Sequence, residues 1–293
     1  EIVTGDWSSD VCSSDLFAYG GGGGIFSQYA GNINVTNSQI TNNEVTEAGY
    51  HGGGIYGGNG DVTLTGSTVS GNESKGDGGG LYSYKGSVAI SNTTITGNKA
   101  DYGGGGVFNY EGDLTITSSV ITSNNAYYGS GGGVGNEAGR LTISGSRITD
   151  NEVIGDGGGV ATNTGVIDIS QSLIASNTST IDGGGIASAV GVVLVTNTTI
   201  SGNSAAASGG GIQADAAIVR LVHVTLASNT ASASGGGIGV VDDDTAECVL
   251  VYNSIIASNS AATGIDLHIP GDPGTTLDIQ RSEERRLGKE CER

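Results

Sequence analysis

The sequence predicts an all-β chain wound as a right-handed parallel β-helix, a solenoid of about nine to ten coils of roughly 26 residues with three short strands each. Three observations predict it. First, between Ile25 and Ile265 one unit recurs: a glycine run followed by an aliphatic residue (Ile55, Leu81, Val107, Val134, Val160, Ile186, Ile212, Ile238) and, later, a closing asparagine (Asn43, Asn72, Asn98, Asn124, Asn151, Asn177, Asn203, Asn229, Asn259). From Asn72 to Asn229 the asparagines step by 26, 26, 27, 26, 26 and 26 residues. Second, Ile, Leu or Val fills four positions of every unit in a chain that is only 36% hydrophobic. Third, those positions alternate with polar ones as in a half-buried strand, and a unit such as Asp61–Asn72 leaves no room for a helix.

Each unit reads in order. The aliphatic residue after the glycines starts the first strand. Ten and eight residues before the asparagine stand pairs such as Val62 and Leu64, or Ile167 and Ile169, which define the second strand. Three before it stands the inward residue of the third, as at Ile95 or Ile200. β-Branched residues point inward, and Thr and Ser take the outward places. Stacked units put equivalent strands in parallel register about 4.8 Å apart, giving a rod roughly 45 Å long, right-handed by the usual crossover rule. The glycines permit a tight turn and close backbone approach. The asparagines form an internal ladder, each amide bonding the turn backbone and the amides above and below, because buried polar groups need such partners. A lone coil cannot bury its inner face, so the array is one cooperative domain.

Two stretches fall outside the repeat, residues 1–16 and residues 281–293. Both resemble translated sequencing-library adapter sequence, so the expected domain is 17–280, a fragment of a longer protein. The whole chain carries a formal charge of −19; residues 17–280 hold 22 acidic against 6 basic side chains, or −16. Such a rod repels nucleic acid, and repels anionic polysaccharide unless calcium bridges the two. Cys248 is the only cysteine within 17–280, which excludes an internal disulfide framework. No apolar run approaches the roughly 18 residues of a membrane span. No phosphate-binding loop or zinc-ligand cluster is present; the glycine runs are turn glycines.

The pairing of Gly-Gly-Gly-Ile with Ile-x-x-Asn, as in Ile95-Thr96-Gly97-Asn98, resembles the repeats of chlamydial polymorphic outer-membrane proteins, with Ile or Val where Phe is typical there. The segment Asn253–Ala257 followed by Gly264–Leu267 is similar to the end of the array in bacterial surface proteins with right-handed β-helix repeats. The resemblance covers about residues 20–270 and implies an extracellular or cell-surface location. The architecture is also similar to that of pectate-lyase-like proteins.

Aromatic placement is the most uneven feature. Thirteen of the fourteen aromatics outside the two end stretches precede residue 129. Phe26, Tyr56, Tyr82 and Phe108 each follow the first inward aliphatic and so point outward on four successive coils; Tyr84 and Tyr110 lie two residues further on the same face. Flat aromatic rows on a rigid sheet suit sugar rings, and the same rows also stabilise a sheet unaided.

Two insertions project from the array. One carries His51; the other holds Asp242, Asp243 and Asp244, which offer oxygen ligands for calcium or form a solvated acidic loop. Asp156 and Asp182 occupy one position of adjacent coils and pose the same choice between a shared calcium ion and a solvated turn ladder. Pectate-lyase-like catalysis needs an Arg or Lys base near calcium, and the repeat positions of Lys75, Lys85, Lys99, Arg140, Arg147 and Arg220 group none of them with carboxylates. His223 reads as a structural turn residue, and Cys248 as a packed thiol. No catalytic residue is assigned, and calcium is the one candidate cofactor. The reading is a rigid adhesive or structural module, extracellular or at the bacterial surface, that contacts polysaccharide or cell-surface glycan through the aromatic stripe; the alternative is a polysaccharide lyase or hydrolase.

Overall fold

The computed structural model describes residues 7–9, 12–14, 17–18, 21–241, 248–268, 276–280 and 283–285. Among the described residues no helix occurs, and the strands form three parallel sheets of 18, 11 and 9 strands. These sheets are the three faces of a right-handed β-solenoid.

One coil illustrates the rest. Leu81–Ser83 and Val88–Ser91 lie in the large sheet, Thr94–Thr96 in the second, and Lys99–Ala100, just past the ladder asparagine, in the third. The three faces agree with the sequence reading, but their make-up differs. The first two expected strands share a face, and in three coils they fuse into single strands: Val160–Ser170, Ile186–Thr196 and Ile212–Val222. The third face is a two-residue strand whose second residue points inward (Val45, Ala100, Val153, Ala205), too short a pattern for alternation to reveal.

Register is strict. Leu81 pairs with Ile55 and Val107, Val88 with Val62 and Leu114, Ile95 with Val69 and Ile121. Like residues therefore stack on like, and the inward aliphatics form one continuous core whose members are at most 3% exposed. Pairing also extends into the stretches outside the repeat: Trp7–Ser9 pairs with Ile33–Thr36, and Glu283–Arg285 with Ile255–Ala257.

The coil turns at three corners, each on a left-handed residue. One is the first glycine of the run, such as Gly157 at φ 71°. The second lies six residues before the asparagine (Asn37, Asn92, Gln171, Asn197, His223) and the third immediately before it (Asn42, Ser123, Asp150, Ser176, Ser228). Glycine is the commonest residue where φ is positive because it tolerates that region best, and Asn and Ser share most of the other corner positions. The remaining glycines answer to space: a Cβ on Gly159 would lie 2.7 Å from the Gly185 carbonyl and 2.9 Å from the Asn177 amide nitrogen.

The asparagine ladder is complete. Each Nδ2 donates to the Oδ1 of the next asparagine at 2.9–3.0 Å, from Asn43 through to Asn259. From Asn72 on, the second Nδ2 hydrogen goes to a carbonyl of the preceding coil, as from Asn151 to Ile121. Each Oδ1 also accepts the backbone N–H of the asparagine before it, as Asn177 does from Asn151. The last rung is a carboxylate. Asp266 stands where a third glycine would be, and its Oδ1 accepts both the side chain and the backbone N–H of Asn259, at 2.8 and 3.2 Å. A second ladder, made of hydroxyls, runs five residues before the asparagines: Ser67, Thr93, Ser119, Ser146, Ser172 and Thr198 each accept a backbone N–H from the coil before and donate to a carbonyl two residues back.

Two outcomes are expected. Asn151→Ala strips acceptors from the buried backbone and side-chain N–H groups of Asn124, and each unsatisfied group costs about 1–3 kcal/mol; denaturant unfolding should show a loss of about 3–5 kcal/mol, and a loss below about 1 kcal/mol would show that the ladder contributes little. Burial holds the Asp266 carboxyl above the ordinary carboxylate range, against the pull of its two hydrogen bonds to Asn259. The folded state thus binds that proton more tightly than the unfolded chain. The group is neutral toward stability below the unfolded pKa, and stability declines as pH rises from there through the raised folded value. Asp266→Asn keeps the acceptor and removes the charge, so its unfolding midpoint should fall less steeply than the parent's between acidic and neutral pH.

Candidate functional site

Strict register turns any outward position into a column running along the rod. The position after the first inward aliphatic holds Phe26, Tyr56, Tyr82 and Phe108 on successive coils. Their ring centroids lie 5.0, 5.3 and 5.9 Å apart, with interplanar angles of 31°, 18° and 3°. The His51 ring stacks on Tyr82 as well, at 4.4 Å and 17°. Tyr84 and Tyr110 form a parallel pair at 5.4 Å, and the Lys85 ammonium lies 5.0 Å from the centre of the Tyr84 ring.

This geometry revises the expectation of a flat platform. The rings do point outward, but their faces turn along the rod axis and cover one another, because the spacing of parallel strands matches the distance at which aromatic rings stack. Tyr82 is only 4% exposed. Burial raises the hydroxyl pKa of Tyr56 and, more strongly, of Tyr82. Open faces remain only where a column ends. Tyr84 has Gly58 at its repeat position on one side, Tyr110 has Glu137 on the other, and Phe108 is followed by Gly135.

Beyond Phe108 the same column reads Gly135, Ala161, Ala187 and then Gln213. The loss of side-chain volume leaves a cleft of about 250 Å³ on the outer face. Phe108 closes one end, and Gln213 and Asp215 the other. Asp156 and Asp182 line one rim, Glu137 and Asn163 the opposite one. The carboxylates are fixed on one side each: Asp156 accepts the Asp182 N–H at 3.1 Å, Asp182 the Ser208 N–H at 2.6 Å, Glu137 the Asn163 amide at 2.7 Å and Asp215 the Gln213 amide at 2.9 Å. Burial raises the pKa of Asp156 and Asp182, opposed by those backbone hydrogen bonds. The pair thus forms a half-buried turn ladder rather than a fully solvated one. The cleft was legible in principle as the column Phe-Gly-Ala-Ala-Gln, but a run of small residues in a glycine-rich chain carries little signal.

Residues 8–148 match the family model described as the right handed beta helix region, and residues 197–215 match that of the Chlamydia polymorphic membrane protein repeat. No curated protein and no solved structure matches the chain. The chain carries right-handed β-helix repeats.

The remaining candidates disperse along the β-helix. Asp242, Asp243 and Asp244 lie outside the described residues. Among the described residues no group of three His, Cys, Asp or Glu could hold a metal ion. His223 is a corner residue with φ 56°, its Nε2 3.2 Å from the Asn253 amide. Three of the six basic side chains meet carboxylates, which corrects the expectation that none would: Arg140 pairs with Asp168, Lys85 with Glu111 at the same repeat position of the next coil, and Lys75 with Glu73 and with Asp101, again at the same position of the next coil. Between coils, Arg140 alone leaves its column, reaching two positions along the neighbouring coil from Val166 to Asp168, which a column-by-column reading misses. Lys75 and Glu73 share one coil, and their hydrogen bond is the main cause of the raised Lys75 pKa.

Tyr82→Ala removes three ring contacts at once. It should cost about 3–5 kcal/mol, the range of large aromatic deletions, measured as the drop in unfolding free energy in denaturant. A loss under about 1 kcal/mol would show that the column is not structural.

Proposed function

We propose that this β-helix is a rigid module displayed at a bacterial surface or secreted, with an adhesive or structural role, and that its large sheet presents an outer face to polysaccharide or cell-surface glycan. Three things support this reading. The repeat between 197 and 215 resembles one described from membrane proteins. The continuous core and the asparagine ladder make a stiff rod suited to holding a surface at a distance. The observation that carries the glycan contact is the Tyr84–Tyr110 pair: both rings are exposed, at 36% and 38%, and they are held parallel, each with one face uncovered by a neighbouring ring. Rigid exposed rings bind sugars at low entropic cost because they are already ordered, and the Lys85 ammonium over the Tyr84 ring adds a hydrogen-bond donor beside it. The contact belongs to this pair rather than to Tyr56 and Tyr82, whose faces are occupied by other rings.

Affinity electrophoresis of the chain through gels containing neutral or acidic polysaccharides, with and without calcium, tests it. Retardation in one gel is expected, with affinity reduced about tenfold in Tyr84→Ala/Tyr110→Ala, equivalent to about 1.4 kcal/mol. Free migration in every gel would overturn the glycan contact. A cleared track on staining for polymer would replace the adhesive reading with a lyase or hydrolase.

A further inference from the structure

We propose that the cleft between Phe108 and Gln213 binds an organic cation, an ammonium or guanidinium group carried on a short apolar body. The proposal does not rest on the glycan contact at Tyr84 and Tyr110.

Charge sets the sign of the occupant. Four carboxylates line the cleft, from Glu137, Asp156, Asp182 and Asp215, and its lining contains no Lys, Arg or His. Each carboxylate spends one oxygen on a hydrogen bond that fixes it, and the other takes none from the described residues. Half-buried charges without a counter-charge are costly, and a cation entering among them recovers that cost.

Shape then separates an organic cation from a metal ion. The carboxylates are spread along a trough of about three strand spacings, roughly 14 Å, and do not converge on a point; no three-ligand metal cluster forms among the described residues. The floor is apolar and small (Gly135, Ala161, Ala187), and one end is the aromatic face of Phe108, which attracts a cation or covers a hydrocarbon surface. Closed ends exclude a polymer running straight through along the rod, so the occupant enters from outside as a single unit or projecting group. About 250 Å³ accommodates a group the size of a hexosamine ring or an arginine side chain.

Isothermal titration of the full chain with D-glucosamine, agmatine and neutral N-acetyl-D-glucosamine tests the proposal. At least one of the two cations should bind and N-acetylglucosamine should not; glucosamine alone points to an amino sugar as the natural source, agmatine alone to a basic protein side chain. Asp156→Asn/Asp182→Asn should weaken binding at least tenfold, since the amides still accept the Asp182 and Ser208 N–H groups and keep the turns. Ala161→Tyr, which fills the trough without touching a carboxylate, should abolish it. Tyr84→Ala/Tyr110→Ala should leave it unchanged, so the two sites can fail separately. No cation binding at about 10 mM, equal binding of N-acetylglucosamine, or unchanged affinity in both cleft variants would each overturn it.

Discussion

The buried asparagine amide is the constraint on which the rest of this protein depends. From Asn72 to Asn229 each side chain donates twice and accepts twice, entirely within the solenoid and away from water. An amide so placed has no alternative partner, and displacing one rung strands the donors of the rung before it. The ladder therefore fixes the distance between coils and the register of the strands, and it tolerates little variation in coil length: insertions lie between corners, as around His51. The same closeness explains the glycines packed beside it, since a Cβ on Gly80, Gly133 or Gly185 would meet both a neighbouring carbonyl and an asparagine amide.

Fixed register has a second consequence on the outside of the rod. Any outward position becomes a column with a repeat close to the distance at which aromatic rings stack, so aromatic residues there spend their faces on one another. The Phe26–Phe108 column stabilises the sheet and hides much of the surface that composition alone would assign to binding. Recognition surface arises where a column is interrupted: at the ends of the Tyr84–Tyr110 pair, and in the hollow left when Phe108 gives way to Gly135, Ala161 and Ala187. A solenoid of this kind can acquire a cleft by substituting a few small residues without disturbing the core, because inner and outer faces alternate along the same strand.

Charge follows the same geometry. The acidic side chains of Asp156 and Asp182 recur at one corner, where each accepts a backbone N–H from the next coil and is partly desolvated. Asp266 performs the related task at the last described rung of the ladder. In these three places the fold uses a carboxylate as a hydrogen-bond acceptor at some cost in charge burial; along the ladder, neutral asparagine amides do the work of Asp266 without that cost.

The sequence by itself determined the parallel β-helix, its coil length, its inward columns and its asparagine ladder. Each follows from residue type at a fixed period, and a buried position admits few residue types. It placed Phe26, Tyr56, Tyr82, Phe108, Tyr84 and Tyr110 on the outer face for the same reason. Tertiary structure decided which way the rings turn, that the strands of one coil divide over three faces with a two-residue strand on the third, that Arg140 reaches Asp168, and that a cleft opens beyond Phe108. These depend on volumes and directions between neighbouring coils: a cleft is space left unfilled, and one-dimensional pattern registers the residues present rather than the room between them.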